Sequence, residues 1–295
     1  MKTYKEAYLW GSHKLQEADI MEYELDARLL LEGICHTGRT DLLVHGDREL
    51  TEEQLAEYEK QIEKRSCRIP LQHIQGVTEF MGLTFRVNEN VLCPRQDTEV
   101  LVEEVLRNLH DGMRILDMCT GSGCILLSLL HYSNDCVGVG VDLSEEALAV
   151  ARENQELMES QELKDSQELM GDFELCKPNI SWIHSDLFDQ VSGKYEIIVS
   201  NPPYIPTKVV DTLMPEVRDH EPHMALDGME DGLFFYRKIV DQSVDYLPGG
   251  GMLFFEIGCD QAEEVSRMME EKGFCDVHVV KDFAGLDRVV YGTWM

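Results

Sequence analysis

Nowhere in the 295 residues is there an uninterrupted apolar run of the roughly 18–20 residues that a membrane-spanning helix needs. The opening Met1-Lys2-Thr3-Tyr4-Lys5-Glu6 also lacks the apolar stretch of a secretory signal. A cytoplasmic location is the expectation. The nine cysteines, at 35, 67, 93, 119, 124, 136, 176, 259 and 275, include no C-x-x-C pair, so the sequence indicates neither a zinc site nor a disulfide framework. Basic residues are scarce: 26 Lys and Arg stand against 56 Asp and Glu, a formal net charge of −30. Nucleic-acid affinity rests on neutralising phosphates, so this balance argues against a nucleic-acid substrate and for a protein or small-molecule one. Two phosphate-binding loops are missing as well. There is no G-x-x-x-x-G-K-[ST], and the one G-x-G that opens a helix has Leu126 where G-x-G-x-x-G needs its third glycine.

What is present divides along the chain. Residues 1–95 carry 12 basic and 17 acidic side chains, whereas 96–295 carry 14 and 39. From Tyr4 to about Cys67 the apolar residues recur at helical spacing, as in Tyr23, Ala27, Leu30, Leu31 and Ile34, and Thr51 with Gln54 forms a capping box. A small helical domain is expected over 1–75. The alternation from Glu79 to Val87, resumed at Val91-Leu92 around Asn88 and Asn90, predicts a β-hairpin linker over 76–95. Over 96–295, helical stretches alternate with short apolar runs at 114–117, 136–142, 196–200 and 251–256. That pattern predicts an α/β domain with a mostly parallel sheet, which binds ligands at the carboxyl ends of its strands. Gln-Glu-Leu recurs at 155, 161 and 167, and residues 155–175 are expected to form an acidic insertion without chemistry of their own.

The first candidate site is Asp117-Met118-Cys119-Thr120-Gly121-Ser122-Gly123, between a buried strand and the helix of Ile125, Leu126, Leu129 and Leu130. Glycines there let a ligand approach the backbone. Asp142, 21 residues after Gly121 at the end of the next strand, stands where a carboxylate can hold both hydroxyls of a ribose. With no provision for phosphate, the nucleoside cofactor indicated is S-adenosylmethionine, whose cationic groups suit an acidic pocket. Asp117 contributes to that acidity or merely caps the turn that follows it. His184-Ser185-Asp186-Leu187-Phe188 offers an acid and an apolar residue to an adenine.

The second candidate is Asn201-Pro202-Pro203-Tyr204, directly after the apolar run that ends at Val199. Two prolines forbid helix and ladder alike, so the chain leaves the sheet rigidly. An amide nitrogen is a poor nucleophile because its lone pair is delocalised. The Asn201 side-chain oxygen and the Pro202 carbonyl are two acceptors for its hydrogens, and Tyr204 is a flat wall for a planar group. By itself the motif admits adenine, cytosine or glutamine nitrogens.

With both motifs in place, the chain resembles the glutamine methyltransferases that modify peptide chain release factors, over almost its whole length. The resemblance extends to Arg68-Ile-Pro-Leu, Gly76, Glu79-Phe80-Met81-Gly82-Leu83, Val91-Leu92-Cys93-Pro94-Arg95, Thr98-Glu99, Glu221-Pro222, Ala225-Leu226-Asp227-Gly228 and Asp231-Gly232-Leu233. It implies a helical amino-terminal domain that docks the substrate, a hairpin linker and a Rossmann-like methyltransferase domain. The implied substrate is the glutamine of the Gly-Gly-Gln motif in release factors. Cofactor contacts are implied at Cys119, Thr120, Gly121, Ser122, Gly123, Asp142, Leu187 and Asn201, and substrate contacts at Asn201, Pro202, Pro203 and Tyr204. Cys119 stands where the family usually has glycine, Leu187 where an aromatic is common, and Gln96-Asp97 where Pro-Glu is usual. Glutamine methylation of a ribosomal protein, adenine methylation of nucleic acid and a catalytically idle cofactor-binding scaffold are the alternative readings.

Overall fold

A computed structural model describes residues 2–170 and 179–295, with the stretch 162–170 described by its backbone alone. The chain divides into two compact units. One comprises Met1–Val77 with Met214–His220, the other Thr78–Leu213 with Glu221–Met295.

The first unit is helical, with Tyr4–Glu17, Tyr23–Cys35 and Glu52–Ser66 as its longer helices. Thr3 with Glu6 and Thr51 with Gln54 form complete capping boxes, which satisfy amides that the first turn leaves orphaned. Apolar residues three and four apart on each helix meet in one core, which includes Ala7, Leu15, Leu30, Leu31, Tyr58 and Ile62. The Tyr58 hydroxyl is buried there and donates to the Ala27 carbonyl at 3.1 Å. Arg65, also buried, places Nε 2.7 Å from Asp26 and Nη2 3.1 Å from Glu216, and Glu216 pairs with Arg68 as well.

A two-stranded hairpin, β1 (Val77–Phe80) and β2 (Leu83–Arg86), lies in the second unit from Thr78 onward. Its turn falls at Met81-Gly82, both at positive φ, rather than around Asn88 and Asn90 as the alternation had suggested. The main sheet contains β3 (Arg114–Met118), β4 (Val137–Asp142), β5 (Asn179–His184), β6 (Ile197–Ser200), β7 (Met252–Glu256), β8 (Phe274–Lys281) and β9 (Asp287–Trp294). Their order is β5-β4-β3-β6-β7-β9-β8, parallel from β5 to β7 and antiparallel at β9 and β8. Successive strands extend the sheet from β3 through β4 to β5, then the order reverses at β6. The crevice at that reversal, beyond the carboxyl ends of β3 and β6, is where open α/β sheets bind ligands.

Helices cover both faces, so the central strands are buried on both sides. All four residues of β6 are buried, as are the last four of β3. One face packs Leu116, Ile198, Leu253 and Phe255 under Tyr236, Ile239 and Val265, and the other packs Ile115, Ile197, Val199 and Phe254 under Leu101, Val105, Ile125 and Leu129. Glu145–Met170 is a single helix of 26 residues, so the Gln-Glu-Leu repeat continues a regular element. The first copy is anchored: Trp182 donates its indole N–H to Gln155 at 2.8 Å, and Met158 is buried. Residues 171–175 of the expected insertion lie outside the described residues. Among the described residues, no helix is long and apolar enough to cross a membrane.

Candidate active site

At the reversal point lies a cavity of about 540 Å³, within the range usual for small-molecule sites. Cys119, Thr120, Gly121, Ser122, Asp142, Leu187, Asn201 and Pro203 all line it. The sequence motifs thus converge on one space although up to 84 positions separate Cys119 from Pro203. Ser185 and Asp186 line it too.

The glycine loop is shaped by two carboxylates. Asp117 is fully buried, and its Oδ2 accepts from the Thr120 hydroxyl at 2.5 Å. Burial raises its pKa from 3.8 to about 7, opposed by the Thr120 bond. Asp117 does not line the cavity, so of its two readings the cap for the following turn prevails. Asp142 does line it, with Oδ2 accepting from the Gly121 amide at 2.8 Å and Oδ1 from the Ser144 amide at 2.9 Å. Its pKa is raised by burial, opposed by those backbone amides. A Cβ on Gly121 would meet nothing within 4 Å, which leaves the backbone open to a ligand.

Three of the candidate residues stand apart from the cavity. Gly123 sits behind it at φ +78, at the start of the helix Cys124–His131, where a Cβ would lie 2.8 Å from the Trp182 ring. Pro202 is buried and adds nothing to the lining. Tyr204 points away, its hydroxyl 3.4 Å from Glu256 Oε1.

The backbone on the lining is strained in places. Cys119, Leu187 and Met229 have φ of +62, +49 and +70. Left-handed backbone at non-glycine residues costs about 1–3 kcal/mol each and gathers at functional sites. Burial, with Asp142 and Asp117 nearby, pushes the Cys119 thiol far above its ordinary range, which keeps it protonated and unsuited to nucleophilic or redox work.

Sequence reasoning missed one wall. Pro222, His223, Met224, Ala225, Asp227 and Met229 line the same cavity as the glycine loop. Of these, only Pro222, Ala225 and Asp227 belong to the residues that carry the family resemblance, and nothing in their spacing marks a wall. Arg95, also on the lining, directs Nη2 to both oxygens of the buried Glu221 at 2.7 Å. That guanidinium is held by a carboxylate, in keeping with a phosphate-free ligand. The open glycine backbone, the Asp142 carboxylate and the volume suit an adenosine-containing cation.

Fold and site together define a Rossmann-like, S-adenosylmethionine-dependent methyltransferase. A model of the PrmC N-terminal domain matches residues 6–76, and one of the methyltransferase small domain matches 84–217. The release factor glutamine methyltransferase of Caulobacter vibrioides is 41% identical over 294 residues, 99% of this chain and 96% of its own. That of Geobacter sulfurreducens is 38% identical over 291 residues, 98% and 96% respectively. Among solved structures, the T. thermophilus 16S rRNA N2 G1207 methyltransferase in complex with AdoMet and guanosine aligns with a TM-score of 0.51. It shares 17% identity over 74% of this chain and 50% of that one, a likeness of fold alone. The chain belongs to the release factor glutamine methyltransferase family.

Proposed function

We propose that this protein methylates the side-chain amide nitrogen of the glutamine in the Gly-Gly-Gln motif of peptide chain release factors, with its helical unit docking the substrate protein. The observation that carries this reading is the state of Asn201. It lines the cavity that the glycine loop also lines, and among the described residues neither its side chain nor the Pro202 carbonyl takes a hydrogen-bond partner. An unspent acceptor on the cavity lining, with a second on the next residue of the chain, suits the two hydrogens of a primary amide.

In this reading Cys119, Thr120, Gly121 and Ser122 form the bed of the cofactor with Gly123 supporting them from behind, Asp142 holds its ribose hydroxyls, and Leu187 covers its adenine. S-adenosylmethionine supplies an electrophilic methyl group. Asn201 accepts one amide hydrogen from the substrate and Pro202 the other, which fixes the nitrogen and turns its lone pair toward the methyl carbon. Pro203 and Tyr204 hold these acceptors rigidly, and such positioning contributes up to roughly 7–11 kcal/mol in favourable systems. As the nitrogen–methyl bond forms, the carbon–sulfur bond breaks and the nitrogen's surplus proton passes to water or a carbonyl.

The test is mass spectrometry of purified release factor after incubation with the protein and S-adenosylmethionine. One added methyl on the Gly-Gly-Gln glutamine is the expected result. An unmodified glutamine at saturating cofactor, or a methyl gained only by a ribosomal protein or a nucleic acid offered in parallel, would overturn the reading.

A further inference from the structure

The loop that leaves β6 is held from outside. Prolines at 202 and 203 supply no N–H, and after Tyr204 the chain is fastened to the segment that follows the helix His223–Leu226. Ile205 donates to the Leu226 carbonyl at 3.0 Å, Gly228 to that of Ile205 at 2.8 Å, and Thr207 to that of Met229 at 2.9 Å. The pairing of Ile205 with Asp227 is a short parallel bridge. It secures the chain past Tyr204 and leaves the Tyr204 carbonyl to another group.

That group is Gln261, buried at the start of the helix Ala262–Lys272 that follows β7. Its Nε2 donates to the Tyr204 carbonyl at 3.0 Å and to the Gly232 carbonyl at 3.3 Å, while its Oε1 accepts from the Gly258 amide at 2.9 Å. The orientation of the side-chain amide follows from its partners. An N–H can only donate and the two carbonyls only accept, so a flipped amide would set donor against donor. Gln261 occupies the N-cap position yet makes no side-chain bond to its own helix, because its polar atoms are committed elsewhere.

The far side of the slot is made of glycines. A Cβ on Gly228 would lie 2.8 Å from Cα and C of Tyr204. One on Gly232, at φ +75, would lie 2.3 Å from the Tyr204 carbonyl oxygen and 2.8 Å from Gln261 Nε2. Neither Gln261 nor Tyr204 lines the 540 Å³ cavity, and both line a second one. Gln261 therefore reaches the site through the backbone of the loop.

We infer that Gln261 is a positioning residue for methyl transfer: by gripping the Tyr204 carbonyl it sets where Asn201 and Pro202 present their acceptors to the substrate amide. The inference rests on the function proposed above. It follows from the short lever involved, since Tyr204 is three residues from Asn201 along a chain stiffened by two prolines. A misplacement of about 1 Å in such a site costs on the order of 100-fold in rate.

Two variants of the full-length protein test it. Gln261→Met keeps the bulk and removes the amide. It should lower kcat by about tenfold or more while leaving the Kd for S-adenosylmethionine within about threefold. Gln261→Glu retains an acceptor for Gly258, but only its protonated form donates to Tyr204. Its kcat relative to the unsubstituted protein should therefore rise as pH falls, a profile that a simple loss of packing would not produce. Amide hydrogen exchange at Ile205, Thr207 and Gly228 should quicken in both variants at neutral pH. Exchange needs no turnover, so it tests whether Gln261 holds the loop even if release factor proves not to be the substrate, an outcome the unsubstituted protein reveals first. A Met variant with unchanged kcat, a Glu variant whose pH profile parallels that of the unsubstituted protein, or unchanged exchange overturns the inference. Should the Met variant fail to fold, the pH profile and exchange of the Glu variant carry the test.

Discussion

The amide of Gly121 donates to the carboxylate of Asp142 at 2.8 Å, across the ends of the neighbouring strands β3 and β4. The Ser144 amide holds the other oxygen, so the carboxylate is fixed before any ligand arrives. Asp142→Ala removes both the anchor of the glycine loop and the proposed ribose acceptor. Hydrogen bonds to a charged group contribute about 1.5–3 kcal/mol, so cofactor affinity should fall roughly 10- to 100-fold. Titration calorimetry with S-adenosylmethionine measures this directly, and an unchanged Kd would remove Asp142 from the cofactor site.

Asn201→Ala separates binding from chemistry. The substitution deletes the proposed acceptor for the substrate amide and leaves the glycine loop and Asp142 intact. Loss of one preorganised group of this kind lowers kcat on the order of 100- to 1000-fold. Cofactor Kd should stay within about threefold. Equal turnover in the variant and the unsubstituted protein would refute the acceptor mechanism.

The buried Asp117 makes stability depend on pH in a stated direction. Its carboxyl titrates near 3.8 in the unfolded chain and at about 7 in the folded one. Between those values the folded state keeps a proton that the unfolded state has lost. Stability therefore falls as pH rises through this window, by at most about 1.4 kcal/mol per pH unit from this group. Asp117→Asn keeps an acceptor for Thr120 and has no proton to lose. In urea titrations the variant should gain on the unsubstituted protein from about pH 4 to pH 7 and hold a constant difference above that. Parallel curves would show that Asp117 ionises normally.

In the helical unit, Arg65 links two poorly exposed carboxylates, Asp26 and Glu216. Arg65→Met strands Asp26, and such a loss costs about 3–5 kcal/mol. The double variant Arg65→Met with Asp26→Leu should recover much of it, because a matched apolar pair needs no counter-charge. Denaturation midpoints of the two variants settle the order, and a double variant less stable than the single one would contradict it.

How far the sequence disclosed this arrangement depended on burial. β3, β4, β6 and β7 lie inside the sheet, and their unbroken apolar runs were readable. At one edge, the residues of β5 run Asn-Ile-Ser-Trp-Ile-His with a mixed exposure, and at the other β8 mixes Asp, His and Lys with valines and carries irregular register against β9. Such edges carry too weak an apolar signal to stand out from loops. Asn88 and Asn90 are turn-favouring residues and suggest a hairpin turn there, whereas the chain turns at Met81-Gly82. Of the residues on the cavity lining, the loop at 119–122, Asp142 and Asn201 could be found from motif and spacing. Gln261 could not. Its partners are the carbonyls of Tyr204 and Gly232 and the amide of Gly258, and backbone atoms leave no residue-type pattern to read.

The segment Met214–His220 belongs to the helical unit although the sequence delivers it from within the methyltransferase half. Truncation after Val77 would discard Glu216 and leave Arg65 without its second counter-ion and Arg68 without its paired carboxylate. A gene fragment encoding only the amino-terminal stretch is thus an incomplete module. Grafting this unit onto another enzyme would require transplanting two separate pieces of chain in step.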